Sequence, residues 1–435
     1  DRDEELWKLG ILAKTQHNEV APCQHEIAPI FATANIATDA NQLTMEVMKK
    51  VADRHGFACL LHEKPFEGVN GSGKHNNWSM STEKGENLLD PGSTPAENTQ
   101  FLLFLTAVIK AVDDFQDLLR ISVASAGNDH RLGANEAPPA IVSVYVGDEL
   151  QAVIDCLIEG TPCRPNAPTV LDTGAVVLPN LPRDTSDRNR TSPFAFTGNK
   201  FEFRMPGSSF NIACTNVMLN TAVADVLAQY ADELEGSADF QKDLLPLIRR
   251  ELAAHQRILF NGNGYGEEWP VEAARRGLCN FRTTPEALVH YTDEKNVALF
   301  ARHGIYTREE IASRQEILLD EYGKAIRIEA LTLLDLVRQQ IAPACIKYAN
   351  GLAAGVSAKK ALGIDAPAEA ALTGKVSALT GEMLELADSL DACVAAMPQD
   401  VTGMARYCAD KLLPAMTAVR TPADKLEQMV DRTLW

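Results

Sequence analysis

The spacing of apolar residues changes character partway along the chain. Up to about residue 206, short alternating stretches are interleaved with helical segments and with loops rich in Gly, Pro and Asn; beyond it, apolar positions recur at helical spacing almost to the C-terminus. In the first part Leu43, Val47, Met48 and Val51 fall on one side of a helix predicted over 38–55, with Gly56 at its exit. A longer helix is predicted over 94–119, a short apolar strand over 57–61 and a glycine-rich loop over 66–74. In the second part the period predicts helices over 211–234, 240–259, 307–347 and 368–397, the last two packed together. The Leu, Ile and Met positions toward the C-terminus read as a core stripe.

Two further stretches alternate strictly. In 75–80, His75, Asn77 and Ser79 share one face while Asn76, Trp78 and Met80 share the other. In 200–206, Lys200, Glu202 and Arg204 point one way, with Phe201, Phe203 and Met205 turned toward a core. A salt-bridged surface strand has the same pattern, so alternation alone assigns no site.

Composition narrows the partners. The 435 residues allow two or three domains, or one large α/β unit with a helical appendage. A net charge of −18 without clustered Lys and Arg argues against nucleic acid, whereas ATP can still be held locally through metal ions and a few placed cations. Nine cysteines, an odd number with no CxxC pair, read as reduced thiols in a cytoplasmic protein. No run reaches the 18 apolar residues of a membrane span. The opening Asp1-Arg2-Asp3-Glu4-Glu5 is neither a signal peptide nor an initiator segment, and an N-terminal portion is expected to be missing. No internal repeat is present.

Five stretches could carry chemistry. His17-Asn18-Glu19-Val20-Ala21-Pro22-Cys23-Gln24-His25-Glu26 sets two acids around a Pro-Cys turn, and a strand-turn-strand path could aim both inward. Hard cations such as Mg²⁺ or Mn²⁺ take such oxygen ligands, although acids in a polar loop can equally be solvated. Gly68-Val69-Asn70-Gly71-Ser72-Gly73-Lys74-His75 matches a phosphate loop except for its final His, and the strand that follows it lacks the required helix. His75, at the mouth of that loop, is a candidate metal ligand. The strand at 200–206 is the third stretch. The loops His130-Arg131-Leu132-Gly133-Ala134-Asn135-Glu136 and Asp187-Arg188-Asn189-Arg190 are the others, each putting cations where catalytic groups tend to sit.

In this order and spacing, the five pieces resemble glutamine synthetases. Asn18-Glu19-Val20-Ala21-Pro22 with Asn70-Gly71-Ser72-Gly73-Lys74-His75 looks most like the large bacterial class, type III. The resemblance implies an α+β fold: a catalytic domain over 1–335, with a curved antiparallel sheet forming a half-barrel flanked by helices, and a C-terminal helical extension over 336–435. It implies that Glu19 and Glu26 hold a first divalent ion, and His75 and Glu202 a second that bridges ATP phosphates. Asn70 and Gly71 would hold the amino-acid end of glutamate, and Arg131 and Arg204 its carboxylates or the phosphoryl group in transfer. Glu136 would be the flap acid that takes a proton from ammonium, and Arg190 a phosphate-stabilising arginine, with Arg188 a less favoured register. Ser79 and Lys200 would lie near the nucleotide.

The same resemblance implies two or more Mg²⁺ or Mn²⁺ ions per site, glutamate, ammonia and ATP as substrates, and a homo-oligomer built as a double-ring dodecamer. The chain departs from the family in two ways. Ala195 stands where many relatives carry a further arginine, and the family's N-terminal β-grasp domain has no counterpart. Competing expectations are a ligase of the same superfamily acting on another amine, a catalytically silent oligomeric scaffold and, third, a P-loop NTPase.

Overall fold

The computed structural model describes residues 2–162 and 191–435, with the backbone of two short segments between them. Arg188 and Arg190 lie outside the described residues. Residues Asp1–Ile311 and Ala312–Trp435 form two compact units.

The first unit opens with α1 (Arg2–Lys8), the antiparallel hairpin β1 (Ala13–Asn18) and β2 (His25–Pro29), and α2 (Ala34–Arg54), which packs on α1. β3 (Asn76–Trp78) follows the glycine-rich loop. Next come α3 (Thr99–Asp114), α4 (Gln116–Ile121), α5 (Ala126–Arg131), β4 (Val144–Tyr145) and α6 (Asp148–Glu159). β5 (Val170–Leu171) pairs with β6 (Leu181–Pro182), and β7 (Phe194–Phe196) leads into β8 (Phe201–Phe203). α7 (Ala213–Glu235), α8 (Phe240–His255), α9 (Glu268–Arg275), α10 (Thr284–Leu288) and α11 (Glu294–Arg302) complete the unit with the start of α12 (Arg308–Leu336).

The central sheet runs in the order β3-β8-β7-β4. β3 and β7 are antiparallel to β8, whereas β4 runs parallel to β7 instead of continuing the antiparallel pattern. The chain between β4 and β7 contains α6, and such a helix-bearing connection can make the crossover that a parallel pair requires.

Aromatic residues give the sheet its core face. Phe194 stacks on Phe201 at 4.8 Å between ring centroids, and Phe196 lies 5.8 Å from Phe101 of α3. α3 is buried on nearly every side, at Phe101, Leu102, Leu105, Val108, Ile109 and Val112, because α7 and α8 both pack on it. Glu202 and Arg204 are buried as well, so β8 is not the salt-bridged surface strand that its alternation also allowed.

Three sequence expectations shift. Residues 57–61 form no strand, and Phe57 and Leu60 are exposed. The helix predicted over 94–119 begins at Thr99, where the Asn98 side chain caps the Phe101 N–H, and breaks at Phe115. The helix predicted over 307–347 is interrupted by a π-helical turn at Val337–Ile341 and resumes as α13 (Ala342–Ala361), which carries the contact with α14 (Pro367–Ala395). The cause is Pro343, which lacks an N–H and whose ring collides with the carbonyl one turn back; a wide turn absorbs it. The same device recurs after α15 (Val401–Tyr407), where a π-helical turn at Cys408–Leu412 precedes Pro414 and α16 (Leu413–Glu427).

Candidate active site

The β1–β2 hairpin brings together residues that are separate in sequence. His17 pairs across the ladder with Glu26, and the Glu19 N–H donates to the Gln24 carbonyl at 3.0 Å. Strand alternation puts Glu19 on the same face as His17. The His17 imidazole lies 2.7 Å from a Glu19 carboxylate oxygen and 4.0 Å from one of Glu26. One donor atom from each of the three falls within 4.8 Å of the others, a set of two carboxylates and an imidazole that suits a divalent cation. Desolvation holds the Glu26 carboxyl above its usual range, Glu19 adds to this, and His75 pulls the other way. His75 is therefore within electrostatic reach of the hairpin.

The second pair comes from the sheet. Asn77 lies opposite Glu202 in the β3–β8 ladder, which puts His75 on the face of Glu202. His75 Nδ1 approaches a Glu202 oxygen at 2.9 Å. Helix α7 backs β3: Trp78 Nε1 donates to Asn220 at 2.8 Å, and Asn76 Nδ2 to Asn216 at 2.9 Å. Ala195 sits directly opposite Glu202 in the β7–β8 ladder.

The glycine-rich loop leads directly into His75 and also touches the hairpin. Gln24 Nε2 donates to the Gly71 carbonyl at 3.3 Å and so links the loop to the hairpin turn. Gly71 packs so closely that a Cβ there would lie 2.5 Å from the Glu63 carbonyl and 3.1 Å from the Arg131 side chain; only glycine fits. Lys74 donates to the carbonyls of Ser208 and Phe210, and burial pushes its amine down to about 8.

Arg131 ends α5 with its side chain almost fully buried. Its guanidinium donates to the Asn128 amide oxygen at 3.2 Å and to the carbonyls of Arg204 and Met205 at 3.1 Å. Its Nε has no hydrogen-bond partner among the described residues. Burial lowers the group to about 10, opposed by Glu63, so it keeps its charge at neutral pH. An arginine presents five donors, so one fixed in this way still has N–H capacity for an anion. α5 itself is pinned by the buried Arg120, which reaches Asp129 at 2.9 Å and the Phe281 carbonyl at 2.8 Å.

Beyond Arg131 the chain enters the predicted flap. Gly133, Asn135 and Glu136 all adopt positive φ, at 108°, 54° and 65°. For Asn135 and Glu136 this left-handed conformation carries a steric cost, so surrounding contacts must hold it. At the far end of the sheet the Ser79 hydroxyl lies 2.7 Å from the Asn87 side chain and 3.2 Å from the Asn199 carbonyl, next to the half-buried Lys200. Ser79 and Lys200 are thus brought together.

Three participants escaped the sequence reading. His17 shares a face with Glu19, and period-two alternation could have found it. Gln24 sat unassigned inside the quoted hairpin motif. Glu63 left no local signal: its buried carboxylate accepts from the Ser209 N–H at 3.0 Å and from the Ser209 hydroxyl, neighbours supplied by a distant segment. A second cluster, Asp113, Asp114 and His255, also has metal-like spacing among the described residues. Arg257 already meets Asp113 at 2.8 Å and Lys110 meets Asp114 at 3.1 Å, so that cluster reads as an ion-pair network.

A buried acidic strand residue paired with a histidine, a carboxylate hairpin, a tight glycine loop and buried arginines are groups whose chemistry suits divalent cations and anions. The sequence model of the glutamine synthetase catalytic domain matches residues 3–143, and that of the glutamine synthetase C-terminal domain matches 243–360. The chain belongs to the glutamine synthetase family.

Among its relatives, a glutamine synthetase of Butyrivibrio fibrisolvens is 47% identical over 99% of this chain and 62% of its own length. A type-3 glutamine synthetase of Dictyostelium discoideum is 51% identical over 81% of this chain and 48% of its own. A glutamine synthetase of Bacteroides fragilis is 41% identical over 99% and 61%. The chain thus spans between about half and three-fifths of the length of these relatives. No helix among the described residues is long and apolar enough to cross a membrane.

Proposed function

We propose that this chain carries most of the catalytic part of an enzyme that joins ammonia to the γ-carboxylate of L-glutamate, using ATP and passing through γ-glutamyl phosphate. The observation that carries this reading is that the chain builds two groups suited to divalent cations at the two ends of the glycine loop, Glu19 and Glu26 with His17 on the hairpin that Gln24 links to Gly71, and His75 with Glu202 on the sheet. Glu19 and Glu26, joined by His17, would hold one Mg²⁺ or Mn²⁺ ion, and His75 with Glu202 a second. When bound, these ions neutralise the phosphate and carboxylate charge that would otherwise keep two anions apart.

The chain's own residues supply the rest. Asn70 and Gly71 bind the amino-acid end of glutamate, with Arg131 and Arg204 on its carboxylates and on the phosphoryl group; Arg190 stabilises the transferring phosphate, and Ser79 and Lys200 line the nucleotide. Flat guanidinium groups suit such oxyanions better than ammonium groups do. Glu136 accepts a proton from ammonium and, with its flap, excludes water from an acyl phosphate that would otherwise hydrolyse. The catalytic domain is proposed to run over 1–335, its sheet curving as a half-barrel, with a helical extension over 336–435. The assembly is a cytoplasmic homo-oligomer, a double-ring dodecamer.

The test is glutamine formation from glutamate, ammonium and ATP with Mg²⁺ or Mn²⁺, run on this chain and on a version extended to the length of its relatives. A preference for a polyamine or aromatic amine over ammonia would replace ammonia as the acceptor. Absence of glutamate-dependent ATP cleavage in the extended version would leave the silent-scaffold reading standing.

A further inference from the structure

The glycine-rich turn Asn261-Gly262-Asn263-Gly264-Tyr265-Gly266 lies far along the chain from every residue given a role above, yet it fastens the flap that carries Glu136. The Tyr265 hydroxyl donates to the Ala137 carbonyl at 3.0 Å, across 128 residues of sequence. The Gly264 N–H donates to Thr191 Oγ1 at 2.7 Å, which holds the turn against the strand that Thr191 leads into. A Cβ at Gly264 would lie 2.9 Å from the Thr191 carbonyl, so the close approach requires glycine. Asn261 anchors the turn from behind, its side-chain oxygen accepting from the N–H groups of Val146 and Gly147 at 3.1 and 3.2 Å. Within the turn, Asn263 accepts from the Tyr265 N–H at 3.0 Å through its side chain and from the Gly266 N–H at 3.2 Å through its carbonyl.

Ala137 directly follows Glu136, and that placement decides what the bond can do. Within the flap, short turns are closed by the Gly133 N–H to the Pro138 carbonyl at 3.0 Å and by the Ala137 N–H to the Ala134 carbonyl at 3.1 Å. Those bonds move with the flap, whereas the Tyr265 bond ties it to the body of the molecule. The left-handed Asn135 and Glu136 need such an external restraint, because their conformation is costly by itself. Tyr265 is also in electrostatic reach of Arg204, Glu136 and Arg131, and burial raises its phenol above the usual range, so it remains a donor at neutral pH.

We propose that Tyr265 is a positioning residue of the active site: its hydroxyl, by holding the Ala137 carbonyl, sets where the Glu136 carboxylate stands and keeps the flap over the reacting groups. This rests on the ligase reading for its catalytic consequence but not for its structural one. The experiment is Tyr265→Phe in the relative-length enzyme, which removes one hydroxyl and retains the ring. Amide hydrogen exchange is expected to accelerate at residues 133–137 and to stay unchanged in β7 and β8.

The kcat for glutamine formation is expected to fall about tenfold, within the roughly hundredfold that a 1 Å misplacement can cost. The KM for ATP should change less than about twofold, and more phosphate should be released per glutamine formed, because water reaches the acyl phosphate. Unchanged exchange at 133–137 would overturn the latch. Faster exchange with wild-type kcat and coupling would overturn its role in positioning Glu136. If the wild-type enzyme makes no glutamine, the ligase reading fails, and hydrogen exchange still decides the latch.

Discussion

Glu136 stands in a left-handed turn immediately before the Ala137 carbonyl that Tyr265 holds, so its carboxylate is placed at a conformational cost. Replacing Glu136 with Ala is expected to lower turnover by roughly 10² to 10⁴, the range attributed to a positioned acid or base. ATP and glutamate should still bind within about twofold of wild type, because the arginines and the glycine loop do not depend on this carboxylate. Steady-state kinetics with calorimetric titration of each substrate measures both, and wild-type turnover would remove the residue from proton transfer. At Arg131 the local lesson differs: a side chain proposed to grip substrate is itself gripped by backbone carbonyls, which restricts its remaining donors to a narrow set of directions.

The supporting helices place β3, and with it His75. Helix α7 holds β3 through Asn216 and Asn220 and is itself joined to α11 by Asp225. Arg302 donates to both Asp225 oxygens at 2.9 Å, and His303 approaches one at 3.0 Å. Burial alone would raise this carboxyl, but the Arg302 and His303 hydrogen bonds outweigh it and leave the group below its usual 3.8. A folded-state value below the unfolded one makes the contribution complete above about pH 4 and progressively lost as the solution is acidified further. Asp225→Asn is therefore expected to cost about 1–2 kcal/mol at pH 7, between the values for an exposed and a buried pair, because Asp225 is buried while Arg302 is half exposed. Urea midpoints of the two proteins should keep their full separation above about pH 4 and converge as the pH falls below it; a gap independent of pH would show that the carboxylate charge is not what joins α7 to α11.

At the scale of the molecule, the proposed metal ligands come from two separate constructions, the β1–β2 hairpin and the β3–β8 ladder. A divalent ion bound by the folded arrangement and not by the unfolded chain stabilises it, by about 2.7 kcal/mol at a hundredfold excess over Kd. Mn²⁺ is expected to raise the thermal midpoint, and His75→Ala to reduce that rise without changing the midpoint of the metal-free protein; an equal rise in both would strike His75 from the ligand set. The separate constructions also explain how much was readable beforehand. Periodicity marked the long helices and the opposed faces of 75–80 and 200–206, because side-chain direction in helices and strands follows from backbone geometry alone. The interruptions at Pro343 and Pro414 were present as residues, but their outcome, a wide turn within a continuing helix, depends on packing on both sides. By itself the sequence determined which chemical groups are available and which of them share a face. Tertiary structure alone decided that Gln24 reaches Gly71, that Glu63 lies beneath the glycine loop and that Tyr265 reaches Ala137, because each joins segments whose proximity depends on the whole core closing around α3 and the sheet.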